Sequence, residues 1–191
     1  ESVRKNLQRA QGLRRLLAQG RLPVRRYSGS RADETFIFGR NMATETPLLG
    51  KCIALIGCGT IGSYLAKLLM HAGAGFGGGR ILMLDKEILQ PGNIGRHFLG
   101  PTRLGEFKAP ALKDELDKMF PGVNSVALTN DALHSLNGLL DYDLVIDGTG
   151  EEALSIALNE HLIRARIDGN PPDAIYVRLF GNGAAAQTLL V

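Results

Sequence analysis

The feature that most constrains this chain is a glycine turn set between two apolar periodicities. Residues 51–57 read KCIALIG, a continuous apolar run of strand length. Gly57-Cys58-Gly59-Thr60-Ile61-Gly62 follows as G-x-G-x-x-G, and SYLAKLLMHAG continues it, with Ile61, Leu65, Leu68 and Leu69 at helical spacing. A strand apolar on both sides must be covered on both faces, which implies a largely parallel sheet between helix layers. The three glycines suit the turn for separate reasons. Gly57 permits the tight reversal, Gly59 lets backbone approach a phosphate, and Gly62 lets helix and strand pack closely. The helix that starts there offers free N–H groups and about half a unit of positive charge to an anion.

The rest of the pattern repeats the alternation. RILMLD, 80–85, is a second strand, and Asp85 at its end stands where a carboxylate can accept from ribose hydroxyls. Residues 86–106 read as a long Gly- and Pro-rich loop. Residues 108–120 have a helical pattern in which Pro110 is tolerable only in the first turn. A third strand is expected at 124–130, a short helix within 131–140, a fourth strand at 143–148 containing Asp147, and a helix at 151–167. The runs 174–181 and 184–191 are separated by a few residues only, so they are expected to pair antiparallel. The class is α/β: a Rossmann-like, doubly wound, mostly parallel sheet with antiparallel C-terminal strands.

Composition and charge narrow the function. Of the 24 glycines, fourteen gather at 57–62, 73–79, 92–105 and 147–150, which suggests backbone approaching a ligand. Cys52 and Cys58 sit in one apolar stretch and cannot form a disulfide scaffold, so a reducing, cytoplasmic setting is expected. No apolar run is long enough for a membrane span, and the lack of Trp with few aromatics weakens a base-stacking role on nucleic acid. Residues 1–40 hold ten Lys and Arg against three acids, while the remainder holds twelve against sixteen. Within 3–18, Val3, Leu7, Leu13, Leu16 and Leu17 form a narrow apolar stripe. That favours an amphipathic helix packing on its own protein, ending near Gly20 and Pro23, over a nucleic-acid or membrane arm. Residues 24–35 read as a linker. The expected organisation is a basic helix and linker over 1–35 and the α/β domain over 36–191. The apolar run at Val191 leads to the expectation that this domain continues beyond it.

The glycine motif alone does not separate NAD from ATP. In a doubly wound sheet the carboxyl ends of the strands line one edge. Asp85, Asn93, Arg96, His97, Lys108 and Asp147 are therefore expected to converge above the glycine turn. Two fixed cations and a carboxylate beside a nucleotide suit phosphoryl or nucleotidyl chemistry. The cations neutralise charge on phosphate oxygens and the carboxylate can hold Mg²⁺. An NAD-dependent oxidoreductase would explain the turn and Asp85, but not Asn93, Arg96, Lys108 and Asp147 together. A non-catalytic scaffold would not need the cations.

Five ordered blocks, GCGTIGS, LMLD, N-I-G-R-H, G-E-F-K-A and DLVIDGTG, resemble the adenylation domain of ubiquitin-activating-type E1 enzymes and the bacterial ThiF and MoeB adenylyltransferases. The likeness covers about residues 36–191. The N-x-x-R-H form with the glycine-rich 73–79 stretch is similar to bacterial E1-like proteins of antiphage operons, including those fused to an E2-like domain. The resemblance implies ATP lying against Gly57, Gly59, Thr60 and Gly62, with Asp85 on the ribose. It implies Asn93, Arg96 and Lys108 on phosphates, and Asp147 with Mg-ATP. It places Arg40 where a homodimer would exchange an arginine into the partner's ATP site. The implied reaction is adenylation of the C-terminal carboxylate of a ubiquitin-like or sulfur-carrier protein, with Arg40, Arg96, Lys108 and Asp147 as catalytic residues. An E2-like domain or protein is the implied further partner. The chain departs from the family in having no cysteine after Cys58, no pair of C-x-x-C motifs, and Arg96-His97 where Arg-Gln is frequent.

Several candidates read better as structural. His97 is expected to be a hydrogen-bonded structural histidine, Cys58 a small apolar filler and Cys52 a core-strand residue. Glu151 and Glu152 suit the N-terminal end of a helix dipole. His71, His134 and His161 share no metal-ligand spacing.

Overall fold

A computed structural model describes residues 2–18, 25, 27–40, 48–180 and 183–191. They fall into two units, 1–32 and 33–191. The first contains helix α1, Ser2–Ala18, on which Leu13 is exposed. The side chains of Val3, Leu7, Leu16 and Leu17, and the expected stop signals Gly20 and Pro23, lie outside the described residues. No helix among the described residues is long and apolar enough to cross a membrane.

The second unit opens with α2, Glu34–Gly39, inside a segment read partly as linker. Its start is fixed by Asp33, whose carboxylate accepts from Phe36 N at 3.1 Å, an ordinary N-cap. The Glu34 carboxylate accepts from Gly77 N at 2.8 Å, and the Phe38 and Phe76 rings lie 4.8 Å apart.

The α/β core then runs β1 Cys52–Ile56, α3 Thr60–His71, β2 Arg80–Leu84, α4 Lys108–Met119, β3 Ser125–Leu128, α5 Leu136–Leu139, β4 Leu144–Asp147, α6 Glu152–Asp168, β5 Asp173–Phe180 and β6 Ala185–Leu190. The sheet order is β3-β2-β1-β4-β5-β6. β1 to β5 are mutually parallel and β6 pairs antiparallel with β5. The expected fold class, doubly wound with antiparallel strands at its C-terminal edge, is the one observed.

Alternation along each strand builds two cores. Ile53, Leu55, Ile81 and Met83 pack with α3 and α4 residues such as Ala66, Met70, Leu112 and Leu116. Ala54, Ile56, Leu82, Leu84 and Val145 pack with Leu139 and the α6 residues Leu154, Leu158 and Leu162. This two-sided burial explains why the strands read as continuous apolar runs. Leu55 is fully buried, so truncating it to alanine is expected to cost about 2–5 kcal/mol.

The chain lays β1, β2 and β3 outward in one direction, then returns to place β4 on the other side of β1. Ile56 is level with Leu84 on one side and with Asp147 on the other, so the three strands end together. Such a reversal of strand order opens a crevice at the carboxyl ends, where ligands of doubly wound sheets bind.

Candidate functional site

A cavity of about 290 Å³ occupies that crevice. Its wall includes Gly57, Gly59, Thr60 and Ile61 from the turn after β1, and Asp85, Lys86 and Glu87 after β2. Asn130 and Asp131 follow β3, and Gly148, Thr149 and Glu151 follow β4. Arg96 and Leu179 complete the named part of the wall.

The three motif glycines behave differently. Gly57 has φ +86°, and an added Cβ would lie 2.8 Å from a methyl of Thr149, so the tight reversal excludes a side chain. At Gly62 a Cβ would lie 1.7 Å from the Gly57 carbonyl oxygen, which is why α3 can start directly against β1. At Gly59 a Cβ would meet nothing within 4 Å. This is open space on the cavity wall, the form expected of a backbone that a ligand approaches. Gly59 is also the N-cap of α3 and supplies no side-chain cap, so the first N–H groups of the 12-residue helix remain available to an anion.

Asp85 is tied into the turn. One carboxylate oxygen accepts from Cys58 N at 2.7 Å and the other from Glu87 N at 2.8 Å. A carboxylate has about four acceptor positions, so Asp85 can brace the turn and still accept from a ribose hydroxyl. His97, buried beneath the same turn, is structural, as its sequence context suggested. Its Nδ1 accepts from Leu99 N at 3.0 Å, so the proton sits on Nε2, which donates to the Cys58 carbonyl at 2.7 Å. Burial lowers the His97 pKa, with the Cys58 hydrogen bond opposing. Burial, helped by the Asp85 carboxylate, pushes the Cys58 thiol well above its ordinary value, so it is an inert filler rather than a thiolate.

The other expected site residues divide. Arg96 ends a 3-10 turn over Pro91–Arg96, lines the cavity, and forms no ion pair with any described residue. Lys108, Asp147, Asn93 and Gly62, expected at the ATP site, are not part of the cavity wall, and neither is Arg40, which was expected at a partner's site. Lys108 is 4% exposed and its ammonium is paired with the Glu87 carboxylate, which does line the cavity. Asp147 is 2% exposed. It accepts from Thr149 N at 3.0 Å and Thr149 Oγ1 at 2.6 Å on one oxygen, and from Ser155 Oγ at 2.6 Å on the other. Asn93 is used locally, its Oδ1 accepting from Gln90 N at 2.9 Å in a reciprocal cap of the 3-10 turn. Arg40, at the C-cap of α2, is exposed and has its guanidinium 6.0 Å from the Phe36 ring centre. Thus Gly57, Gly59, Thr60, Asp85 and Arg96 meet at one cavity, with Lys108 and Asp147 each one residue behind its wall.

Lys86, Glu87, Asn130, Asp131 and Thr149 also line the cavity and were not among the expected site residues. Lys86 donates to Asp131 at 2.7 Å, joining the ends of β2 and β3. All five lie two or three residues beyond the end of a parallel strand, on the same sheet edge that singled out Asp85 and Asp147.

A Mg²⁺ carried in on a phosphate chain would find one free acceptor position on Asp147, behind the wall. Three of the roughly four acceptor positions on Asp147 are filled, leaving one open. No group of three His, Cys, Asp or Glu among the described residues is placed to hold a metal. Mg²⁺ typically takes one or two carboxylates with phosphate oxygens and water.

The model of the ThiF family matches residues 44–169. The chain is 41% identical over 169 residues to the ATP-dependent ubiquitin transferase-like protein Cap2 of Pseudomonas aeruginosa, covering 88% of this chain and 30% of that protein. Against the protein of the same name from Vibrio cholerae the identity is 34%, covering 87% and 29%. The chain therefore spans about 30% of the length of these curated relatives. Among solved structures it resembles E. coli MccB crystallised with ATP, at TM-score 0.60 and 19% identity over 69% of this chain and 38% of that one. It also resembles E. coli tRNA N6-threonylcarbamoyladenosine dehydratase, TcdA, at TM-score 0.60 and 20% identity over 74% and 59%. At these identities the structural likeness speaks for the fold.

Proposed function

This chain belongs to the ThiF family, and from that premise we propose that residues 36–191 form an E1-like adenylyltransferase domain that binds ATP in the β1–β4 crevice. The observation that carries the reading is the open Gly59 position on the wall of a cavity that also holds Arg96, which forms no ion pair with any described residue. Its relatives support it, one being an ATP-dependent ubiquitin transferase-like protein and another a protein crystallised with ATP.

In the proposed reaction, the C-terminal carboxylate of a ubiquitin-like protein attacks the α-phosphorus of ATP. A carboxylate O–P bond forms, the P–O bond to the β-phosphate breaks, and its electron pair leaves with pyrophosphate. No protein nucleophile is required, in keeping with a buried, neutral Cys58 thiol. The free N–H groups of α3 and the Gly59 gap hold the phosphates, and Asp85 holds the ribose. Arg96 and Lys108 neutralise charge that grows on phosphate oxygens in the transition state. Asp147 would hold Mg²⁺, which when bound adds Lewis-acid neutralisation of the phosphate chain. Catalysis by this chain is mainly alignment of the two reactants and fixed charge. Arg40, absent from its own cavity wall, would reach the site of a second copy in a homodimer. The basic 1–35 segment would connect to a further domain or brace that dimer. An E2-like partner, a cytoplasmic location and a role in antiphage defence complete the proposal.

ATP–pyrophosphate exchange in the presence of the ubiquitin-like protein tests it. Arg96→Ala and Lys108→Ala are expected to lower exchange by about a hundredfold or more. Asp147→Asn is the better probe of the third position, because Asp147→Ala would strip buried partners from Thr149 and Ser155. Wild-type exchange in all three variants would remove the assignment. Calorimetry with Mg-ATP against NAD separates the oxidoreductase alternative, which requires binding of the latter.

A further inference from the structure

We propose, resting on the nucleotide reading above, that Glu87 is a built-in stand-in for phosphate: its carboxylate holds the buried Lys108 ammonium until a nucleotide phosphate takes its place. The two partners are unequal. The Lys108 side chain is 6% exposed, whereas that of Glu87 is 61% exposed and lines the cavity. A buried ammonium without a counter-charge is costly, so an empty site needs an anion at this point. Glu87 provides one, and the same carboxylate competes with an incoming phosphate for Lys108.

The backbone is arranged so that this exchange needs only a side-chain rotation. Glu87 N donates to the Asp85 carboxylate at 2.8 Å, and the Glu87 carbonyl accepts from Lys108 N at 2.9 Å. An isolated antiparallel bridge between Ile88 and Phe107, with Leu89 N donating to the Glu106 carbonyl at 2.9 Å, continues the pairing. Cys58, Asp85, Glu87 and Lys108 thus form one hydrogen-bonded chain from the glycine turn to the ammonium. Swinging the Glu87 carboxylate toward solvent breaks one link and leaves the rest in place. Of the two cations on the cavity wall, Lys86 is already neutralised by Asp131. Releasing Lys108 would therefore join a second cation to Arg96 when the phosphates arrive. Glu87 acts through Lys108 and is a positioning residue.

A structural brace and a competing anion give opposite signs in one experiment. Replacing Glu87 by Gln keeps a hydrogen-bond acceptor and removes the charge. The expected result is a lower melting temperature without nucleotide, together with Mg-ATP binding tighter by roughly threefold to tenfold in calorimetry. Glu87→Asp, whose carboxylate is drawn back by one methylene, is expected to shift both quantities in the same directions by less. It also serves as the test should E87Q not fold. Mg-ATP affinity unchanged or weakened in these variants, while wild type binds Mg-ATP, overturns the stand-in role alone. A wild-type protein that does not bind Mg-ATP overturns the nucleotide reading and this inference with it.

Discussion

Two glycine-rich stretches, 57–62 and 73–79, look alike in composition and do opposite things. The first lies past the carboxyl end of β1 and borders the cavity. The second precedes β2, at the amino end of the sheet, and takes no part in that cavity wall. Gly73, Gly75, Gly77 and Gly78 all have positive φ, so there glycine serves chain reversal. Around Gly73, Gly75 and Gly77 the space is filled, a Cβ on Gly75 lying 2.5 Å from a Val123 methyl and one on Gly73 3.3 Å from Leu49, whereas Gly78 is open but lies outside the cavity wall. In the first stretch Gly59 instead has φ −74° and an empty surrounding. Glycine enrichment alone therefore does not mark a ligand site; what sets Gly59 apart is an open position on the cavity wall at the start of a helix.

Single substitutions separate the two stretches. The largest effect is expected at Gly62, where a methyl group would overlap the Gly57 carbonyl. Gly62→Ala should lose about 3 kcal/mol or more in urea unfolding and abolish Mg-ATP binding. Gly75→Ala should cost about 1–3 kcal/mol through its positive φ and the Val123 contact, with the Mg-ATP Kd of the folded protein unchanged. A changed Kd there would end the division between the two stretches. Gly59→Ala should change stability by no more than about 1 kcal/mol, yet weaken Mg-ATP about tenfold, since the methyl group fills the gap left for phosphate.

The smallest effect is a pH dependence. His97 has a pKa lowered by burial, so the unfolded chain is the better proton acceptor. Its contribution to stability is complete above the ordinary imidazole value of 6.5 and declines as pH falls below it. Replacing His97 by Gln should flatten that part of a melting-temperature profile between pH 7 and pH 5, roughly the range over which imidazole titrates. An unchanged slope would place the titration elsewhere.

Much of the fold was legible because its strands carry their own evidence. IALI, ILML and LVID are apolar on both faces, and each is followed by a turn signal and a helical period. The antiparallel β5–β6 pair followed from the short connection. Helix α2 was not legible as such, because six residues give too little periodicity; Asp33 was its one local signal, and Glu34 is held by Gly77, 43 positions away. The cavity wall was legible where a residue's own position in the chain places it there, as with Gly59, Asp85 and Arg96. It was hidden where action depends on a partner remote in the chain. Glu87 lies 21 positions before Lys108, and nothing local to either announces the pair. Asp147 was correctly placed at a strand end, but its engagement by Ser155 requires the first turn of α6 to fold back over β4.

Amide hydrogen exchange with and without Mg-ATP reads both glycine stretches in one sample and so locates the nucleotide. Slowed exchange over 57–62 with no change over 73–79 is the predicted result. Equal protection of both stretches, or protection at 73–79 alone, would contradict the placement of the nucleotide at the β1–β4 crevice.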